Sequence, residues 1–405
     1  MGSTVDWSVK GLWLPEAGSG NGDPAVDTDR AVVGHHLFDG PFTWPVMVAR
    51  RSAIEANVAT MAEYCSRHGV EFAPHGKTTM APTLFAAQLG AGAWGITVAT
   101  ANQALAARRF GVPRVLLANE VFDEKVLRWA AAESAAGWEF LCYVDSVAGV
   151  AAAEKALEAG GRLTVLVELG FPGGRTGCRS VGDATAVAKA AAAVDGLEVA
   201  GVAGFEGMLP DAPAVDAFLA SIVRAADAVA PLCPYPLIIS AGGSAFFDAV
   251  VDAFVPPAVE RGWRVMLRSG AVVTHDDGFY AQRTPFARRP DEGTLTAALE
   301  VWAQVLSVPE PGLAILGAGR RDVPFDEGLP VPLGARGRDG SVRTLGGATV
   351  ARLNDQHAYL LDASVEPGEL VRLGISHPCT AFDKWRVIPV VDDDYRVVDL
   401  LHTYF

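Results

Sequence analysis

The chain is short of positive charge. Against 47 aspartates and glutamates it sets only 33 lysines and arginines, a net charge of -14. That deficit excludes nucleic acid or an anionic membrane as the main partner. No unbroken apolar run reaches the length of a bilayer span. Residues 1–6 lack the basic and apolar regions of a secretory leader. Cysteine is scarce and odd in number: Cys65, Cys142, Cys178, Cys233 and Cys379 are scattered, and four of them sit in apolar or helical surroundings. Such a set does not make a disulfide framework and suits a reducing, cytoplasmic setting. Repeats beyond βα units and low-complexity tails are missing as well.

What is present points to a large folded body. Half of the 405 residues are apolar, enough for one large domain and a smaller one. Residues 1–44 read as an irregular arm with a Gly/Asn/Asp/Pro cluster at 18–24. From residue 45 short apolar or β-branched runs alternate with helical runs, the mark of βαβ units. Eight such runs, at 71–73, 94–98, 115–118, 139–143, 163–168, 197–205, 237–240 and 264–267, predict an α/β fold: a single (β/α)8 barrel over residues 45–283. The helices between them carry alanine-rich apolar stripes that serve packing. Residues 284–405 change character. Short alternating runs at 299–308, 313–316, 349–353, 358–361, 370–374, 385–391 and 396–400, densely punctuated by Pro and Gly, predict an antiparallel β-domain. Residues 317–347, rich in Gly, Arg, Pro and Asp, read as one long loop, a feature that is often functional.

The chain is organised around Lys77. The first predicted strand ends at Pro74, and His75, Gly76, Lys77, Thr78 and Thr79 follow. This places a lysine just past the C-terminal end of a barrel strand, where barrels put their catalytic groups. A desolvated lysine loses its proton there and forms Schiff bases with carbonyls. By position alone, the competing reading is a surface lysine on a βα loop.

The run from Ala73 to Thr79 resembles the pyridoxal-phosphate (PLP) lysine motif of D-threonine aldolases and metal-dependent D-serine dehydratases, fold-type III relatives of alanine racemase. Most of the chain, from about residue 45 onward, shares the resemblance, and it is nearest to a bacterial branch labelled amino acid deaminase. The family form has arginine before Pro-His and histidine after Lys-Thr, where this chain has Ala73 and Thr79. The resemblance implies Lys77 as the cofactor lysine, an alanine racemase-like barrel followed by a β-domain, and a head-to-tail homodimer.

Other motifs agree. Ser240, Ala241, Gly242, Gly243 and Ser244 end the seventh predicted strand and open a helix. Glycines let main-chain amides approach an anion, and a helix start favours negative charge. The run resembles the family's phosphate-binding Ser-x-Gly-Gly-(Ser/Thr); the alternative is an ordinary βα turn. Arg268, Ser269, Gly270 and Ala271 resemble the family's Arg-Pro-Gly turn, so the Gly270 and Ala271 amides complete the phosphate site, while the role of Arg268 stays open. Arg175, in a glycine-rich loop after the fifth strand, resembles the arginine that contacts the cofactor ring oxygen; otherwise it is a solvated loop residue. His75 either packs beside the cofactor or is a satisfied turn histidine.

Near the end, His377 and Cys379 form a His-x-Cys pair. A structural zinc site needs four protein ligands, whereas two ligands with open positions suit a catalytic ion that also holds substrate. The resemblance places the family's metal here, and the cysteine favours zinc over manganese or magnesium. The competing reading is a buried cysteine beside a loop histidine. His357 resembles a family histidine and is either a substrate-side group or structural. The expected activity is a PLP- and metal-dependent lyase on a β-hydroxy D-amino acid, eliminating water to give a 2-oxo acid and ammonia. Retro-aldol cleavage to glycine and an aldehyde is the alternative. A non-catalytic PLP-binding protein and a metal-dependent hydrolase without PLP are more distant alternatives.

Overall fold

The computed structural model describes residues 9–14 and 28–405. The Gly/Asn/Asp/Pro cluster at 18–24 and residues 1–6 lie outside the described residues. The chain divides into two compact units, one of Met61–Lys77 and Phe85–Gly270, the other of Met1–Thr60, Thr78–Leu84 and Ala271–Phe405. These divisions fall elsewhere than the sequence boundaries at 44/45 and 283/284. Strand β1 (Val46–Arg50) accounts for part of the difference. It lies in the antiparallel-rich sheet of the second unit, pairing antiparallel with residues 299–302 and parallel with residues 390–391.

The first unit holds eight parallel strands: β2 (Glu71–Phe72), β3 (Ile96–Val98), β4 (Arg114–Glu120), β5 (Glu139–Val144), β6 (Leu163–Leu169), β7 (Leu197–Gly204), β8 (Ile238–Ala241) and β9 (Arg264–Leu267). They follow one another in the sheet in the order β2-β9-β8-β7-β6-β5-β4-β3. The two ends meet. Trp94 N donates to Phe72 O at 2.7 Å and Thr97 N to Pro74 O at 2.9 Å, so the sheet closes. All eight predicted strands are found. Inside the ring Ala73, Trp94, Leu116, Leu141, Tyr143, Leu166, Ala203, Ile238 and Met266 form one buried cluster. These side chains fill the interior, which in an eight-stranded barrel is just wide enough to be packed. Truncating a residue such as Leu166 to alanine is expected to cost roughly 2–5 kcal/mol.

The helices start where the sequence supplies caps. Thr100, Asp123, Ser146, Ser180 and Asp211 each accept a main-chain N–H in the first turn of the helix that follows, worth roughly 1 kcal/mol apiece. These caps fix where each βα loop ends, and so where the loop residues at the strand C-termini point.

The second unit is built on β1 and nine later strands: β10 (Leu299–Glu310), β11 (Leu313–Leu316), β12 (Val331–Arg336), β13 (Val342–Thr344), β14 (Thr349–Leu353), β15 (Ala358–Leu361), β16 (Leu370–Gly374), β17 (Val387–Val391) and β18 (Val397–His402). The main path runs β13-β12-β16-β10-β1-β17-β18, with β11, β15 and β14 extending from β10. Apart from β1 with β17, every pair is antiparallel. Trp302, Phe382 and Trp385 are fully buried. The expectation of a single long loop over 317–347 is corrected: it contains β12 and β13, paired with each other and, through β12, with β16. All five cysteines are free. Among the described residues no helix is long and apolar enough to cross a membrane.

Candidate active site

In the parallel unit the chemistry gathers at the C-terminal ends of the strands. His75 and Lys77 follow β2, Glu120 ends β4, Glu168 lies in β6 with Arg175 in the loop after it, Glu206 follows β7, Gly242–Ser244 follow β8, and Arg268 follows β9. This is the end at which such barrels build active sites. A separate cleft of about 500 Å³ opens at the opposite end, against Glu139, Thr164, Glu198, Ile238 and Arg264.

Lys77 lies in a 3-10 turn, Gly76–Thr78. Gly76 is required there because an added Cβ would come within 2.8 Å of the Phe85 ring and 2.7 Å of Ile96. His75 forms a parallel bridge with Thr97. Burial, then the positive charges of Lys77, Arg268 and Arg175, push its imidazole well below the usual histidine range. It is therefore neutral at physiological pH.

Several buried polar atoms in this unit have no protein partner: His75 Nδ1, Tyr143 Oη and Arg268 Nε. Native interiors rarely leave such groups unpaired. Burial and then the neighbouring Glu168 carboxylate push the Glu120 carboxyl up to about 8, and the two carboxyl groups share a hydrogen bond, so Glu120 keeps its proton at neutral pH. Arg268 lies 5.7 Å from the Tyr143 ring, and its Nη2 donates to Gly204 O. The set of unpaired donors and acceptors around a lysine fits a polar, anionic aromatic cofactor such as PLP.

The glycine-rich loop after β6 is held more firmly than its composition suggests. Arg175 stands over the Phe205 ring, 4.5 Å from its centroid. Arg179 binds the loop's own carbonyls: Nη1 donates to Thr176 O and Gly177 O at 2.7 Å, and Nη2 to Gly174 O at 2.9 Å and Arg175 O at 3.1 Å. Gly177 N donates to Asp145 Oδ2 at 3.0 Å. Gly177 has φ +95°, and a Cβ there would meet Gly170 N at 2.5 Å. Arg179 carries no motif signal and was not anticipated from sequence.

The predicted phosphate cradle is differently engaged. Ser240 Oγ donates to Met266 O at 3.0 Å, tying β8 to β9. Gly242 N and Gly243 N donate to the two oxygens of Glu206, at 3.2 and 2.5 Å. Glu206 is fully buried and was also not singled out. Gly242 has φ +99°, a conformation that favours glycine. Ser244 is buried, and the helix Phe247–Arg261 begins three residues after it. Ser269 Oγ donates to Gly242 O at 2.8 Å, and Gly270 is the last residue of this unit. Ala271 opens a 3-10 turn of the other unit, where its carbonyl accepts from His275 N at 2.7 Å.

In the antiparallel unit His377 follows β16 and precedes the turn Pro378–Thr380. His377 Nδ1 lies 2.8 Å from Asp326 Oδ2, and Thr380 Oγ1 donates to Asp326 Oδ1 at 2.8 Å. Burial opposes the positive form of His377, but the Cys379 thiol and the Asp326 carboxylate outweigh it and raise the imidazole to about 9. Cys379 Sγ lies 3.7 Å from Thr78 Oγ1. Phe279 and Tyr280 flank the His377 ring, each at 5.6 Å. Among the described residues no group of three or more His, Cys, Asp or Glu is arranged to hold a metal ion. The pair offers one imidazole nitrogen and one cysteine sulfur, a donor set that suits zinc with its other positions left to water and substrate. His357 sits exposed at the tip of the β14–β15 hairpin, its carbonyl accepting from Asn354 N at 2.8 Å.

Comparison with known proteins agrees with both units. Residues 50–253 match the family described as "Alanine racemase, N-terminal domain", and residues 298–391 match "Putative serine dehydratase domain". The chain is 27% identical to 3-hydroxy-D-aspartate aldolase of Paracoccus denitrificans (strain Pd 1222) over 303 residues, 72% of this chain and 75% of that protein. It superposes on the solved D-threonine aldolase of Filomicrobium marinum with a TM-score of 0.76 at 24% identity, covering 89% of this chain and 94% of that one. Against D-threo-3-hydroxyaspartate dehydratase of Delftia sp. HT23 the TM-score is 0.71 at 24% identity, covering 89% and 97%. The two superpositions establish a common fold.

Proposed function

Because the chain belongs to the fold-type III, alanine racemase-like PLP enzymes of the D-threonine aldolase and D-serine dehydratase family, we propose that it is a lyase acting on β-hydroxy D-amino acids with PLP and a divalent metal, zinc by preference. The reaction we favour is elimination of water to a 2-oxo acid and ammonia. The observation that carries the reading is Lys77, placed at the C-terminal end of β2 in a barrel whose buried polar atoms lack protein partners.

Lys77 would hold PLP. Arg175 would stand on the ring-oxygen side, and Ser244 and Gly270 would supply phosphate donors. PLP, when bound, stabilises negative charge at the amino acid Cα. The Lys77 amine takes the Cα proton, for which it must be neutral. His75, held neutral by burial and three nearby cations, adds no positive charge to that amine. The unpaired Tyr143 hydroxyl and the Glu120 carboxyl, held protonated by burial and by its neighbour Glu168, offer protons at the strand ends. His377 and Cys379 would hold the metal, which supplies Lewis acidity toward the substrate β-hydroxyl. Asp326 keeps the His377 ring oriented by accepting a hydrogen bond from Nδ1–H, which would leave Nε2 as the metal donor.

Retro-aldol cleavage is the second reading. It is favoured by the activities named for the Paracoccus and Filomicrobium proteins. One experiment decides. The protein is loaded with PLP and zinc and incubated with D-serine, D-threonine and D-3-hydroxyaspartate. Release of 2-oxo acid supports elimination, release of glycine supports cleavage, and release of neither with any of the three rejects the lyase.

A further inference from the structure

The Gly242–Gly243 turn presents two successive main-chain amides at the end of β8, the arrangement that makes an anion-binding nest. Its occupant in this structure is a side chain. Glu206 Oε2 accepts from Gly242 N at 3.2 Å and Glu206 Oε1 from Gly243 N at 2.5 Å. Neither amide is left over, and the carboxylate is wholly shielded from water. The fit is close, since a Cβ on Gly243 would meet Glu206 Oε1 and Phe205 Cε2, each at 3.1 Å.

We propose that Glu206 is an internal stand-in for the cofactor phosphate: it holds the two amides until the phosphate takes them, and its displacement sets how tightly a phosphorylated cofactor binds. This rests on the PLP reading above. Carboxylate and phosphate compete for the same two donors. Each amide has one hydrogen to give, and a buried carboxylate and a phosphate dianion drawn to the same pair repel strongly in a low-dielectric site. Arg268 is turned to Gly204 O, and Arg175 lies over Phe205. That second contact carries a consequence. Phe205 is the residue before Glu206, so release of Glu206 shifts the ring on which Arg175 rests and links arrival of the phosphate to placement of the ring-side arginine.

The test uses cofactor-stripped full-length protein as wild type, E206A and E206Q. Each is titrated with PLP, with pyridoxal and with inorganic phosphate, binding being read by absorbance and by thermal shift. Removing a charge-assisted competitor is expected to tighten PLP by about tenfold or more in E206A, to leave pyridoxal within about twofold, and to confer stabilisation by phosphate that wild type lacks. E206Q, which keeps one acceptor without the charge, is expected to fall between and guards against a folding defect in E206A. Weaker PLP binding in both variants would make Glu206 a brace for the turn and overturn the proposal. So would equal changes for PLP and pyridoxal. Should wild type form no borohydride-reducible adduct at Lys77, the cofactor reading fails, and the phosphate arm still reports on the nest: gain of phosphate binding in E206A sustains Glu206 as its occupant, and no gain refutes it.

Discussion

Asp326 accepts from His377 through a 2.8 Å contact to Nδ1, and Thr380 holds the other oxygen of the same carboxylate. A carboxylate in this position fixes the tautomer of a ligating histidine and raises its basicity, and losing such a partner typically costs ten- to a hundredfold in metal affinity. D326A is therefore expected to weaken zinc retention by about that factor. A chelator titration followed by metal analysis measures it. D326N, whose amide oxygen still accepts from Nδ1, should lose less. Unchanged retention in D326A would remove Asp326 from the metal site.

Lys77 carries the plainest covalent prediction. Wild type incubated with PLP and reduced with borohydride should gain one phosphopyridoxyl group, the cofactor mass less one oxygen, on the peptide containing Lys77, and K77A should gain none. Among barrel lysines only one that is accessible and uncharged reacts in this way. Labelling of K77A to the wild-type extent, at any other lysine, would move the site elsewhere.

Much of this was readable from the residues alone. The eight barrel strands are short β-branched runs closed by turn residues, and period and punctuation suffice to find them. The His377–Cys379 pair and Lys77 stand inside compact motifs. Other features have no local signature. Val46–Arg50 is an apolar strand before a helix, which looks the same in either sheet, and only its pairing with residues 299–302 decides. Strands β12 and β13 are hidden by Pro332 and Gly334 in β12, tolerated because the pairing of β12 with β16 shifts register between them, and such residues are accepted at bulges. Glu206 and Arg179 act on main-chain groups, Glu206 across 36 and 37 positions of sequence. An isolated charged residue in a loop says nothing about which carbonyls or amides it will meet.

Arg179 yields a prediction about order. It gathers four carbonyls of the loop that carries Arg175. Its removal leaves those groups to water and frees a glycine-rich segment, at an entropic disadvantage to any bound state that needs the loop fixed. R179A is expected to weaken PLP binding by roughly tenfold, in line with the loss of one or two charged hydrogen bonds, while the melting temperature moves by only a few degrees. R179K, a point charge without the planar fork, should not restore it. Full affinity in R179A would show that the loop holds its shape without the arginine.

Asp277 supplies the pH prediction. Burial first, then the charges of Asp276 and Glu300, push its carboxyl up to about 6, against the opposing pull of Arg372. Its Oδ2 is buried without a partner, and Gly374 leaves room for it, since a Cβ there would lie 2.2 Å from that oxygen. An acid whose folded pKa exceeds its unfolded value binds the extra proton in the folded state. Stability therefore falls as pH rises from the ordinary aspartate range, near 4, through about 6, and the deficit is complete above that. Two pKa units correspond to roughly 3 kcal/mol, an upper figure because the group keeps some solvent. D277N removes the titration. It is expected to melt several degrees above wild type at pH 7.5, with the gap closing as pH is lowered to about 4. A gap that stays constant across this range would mean that Asp277 is not the group responsible.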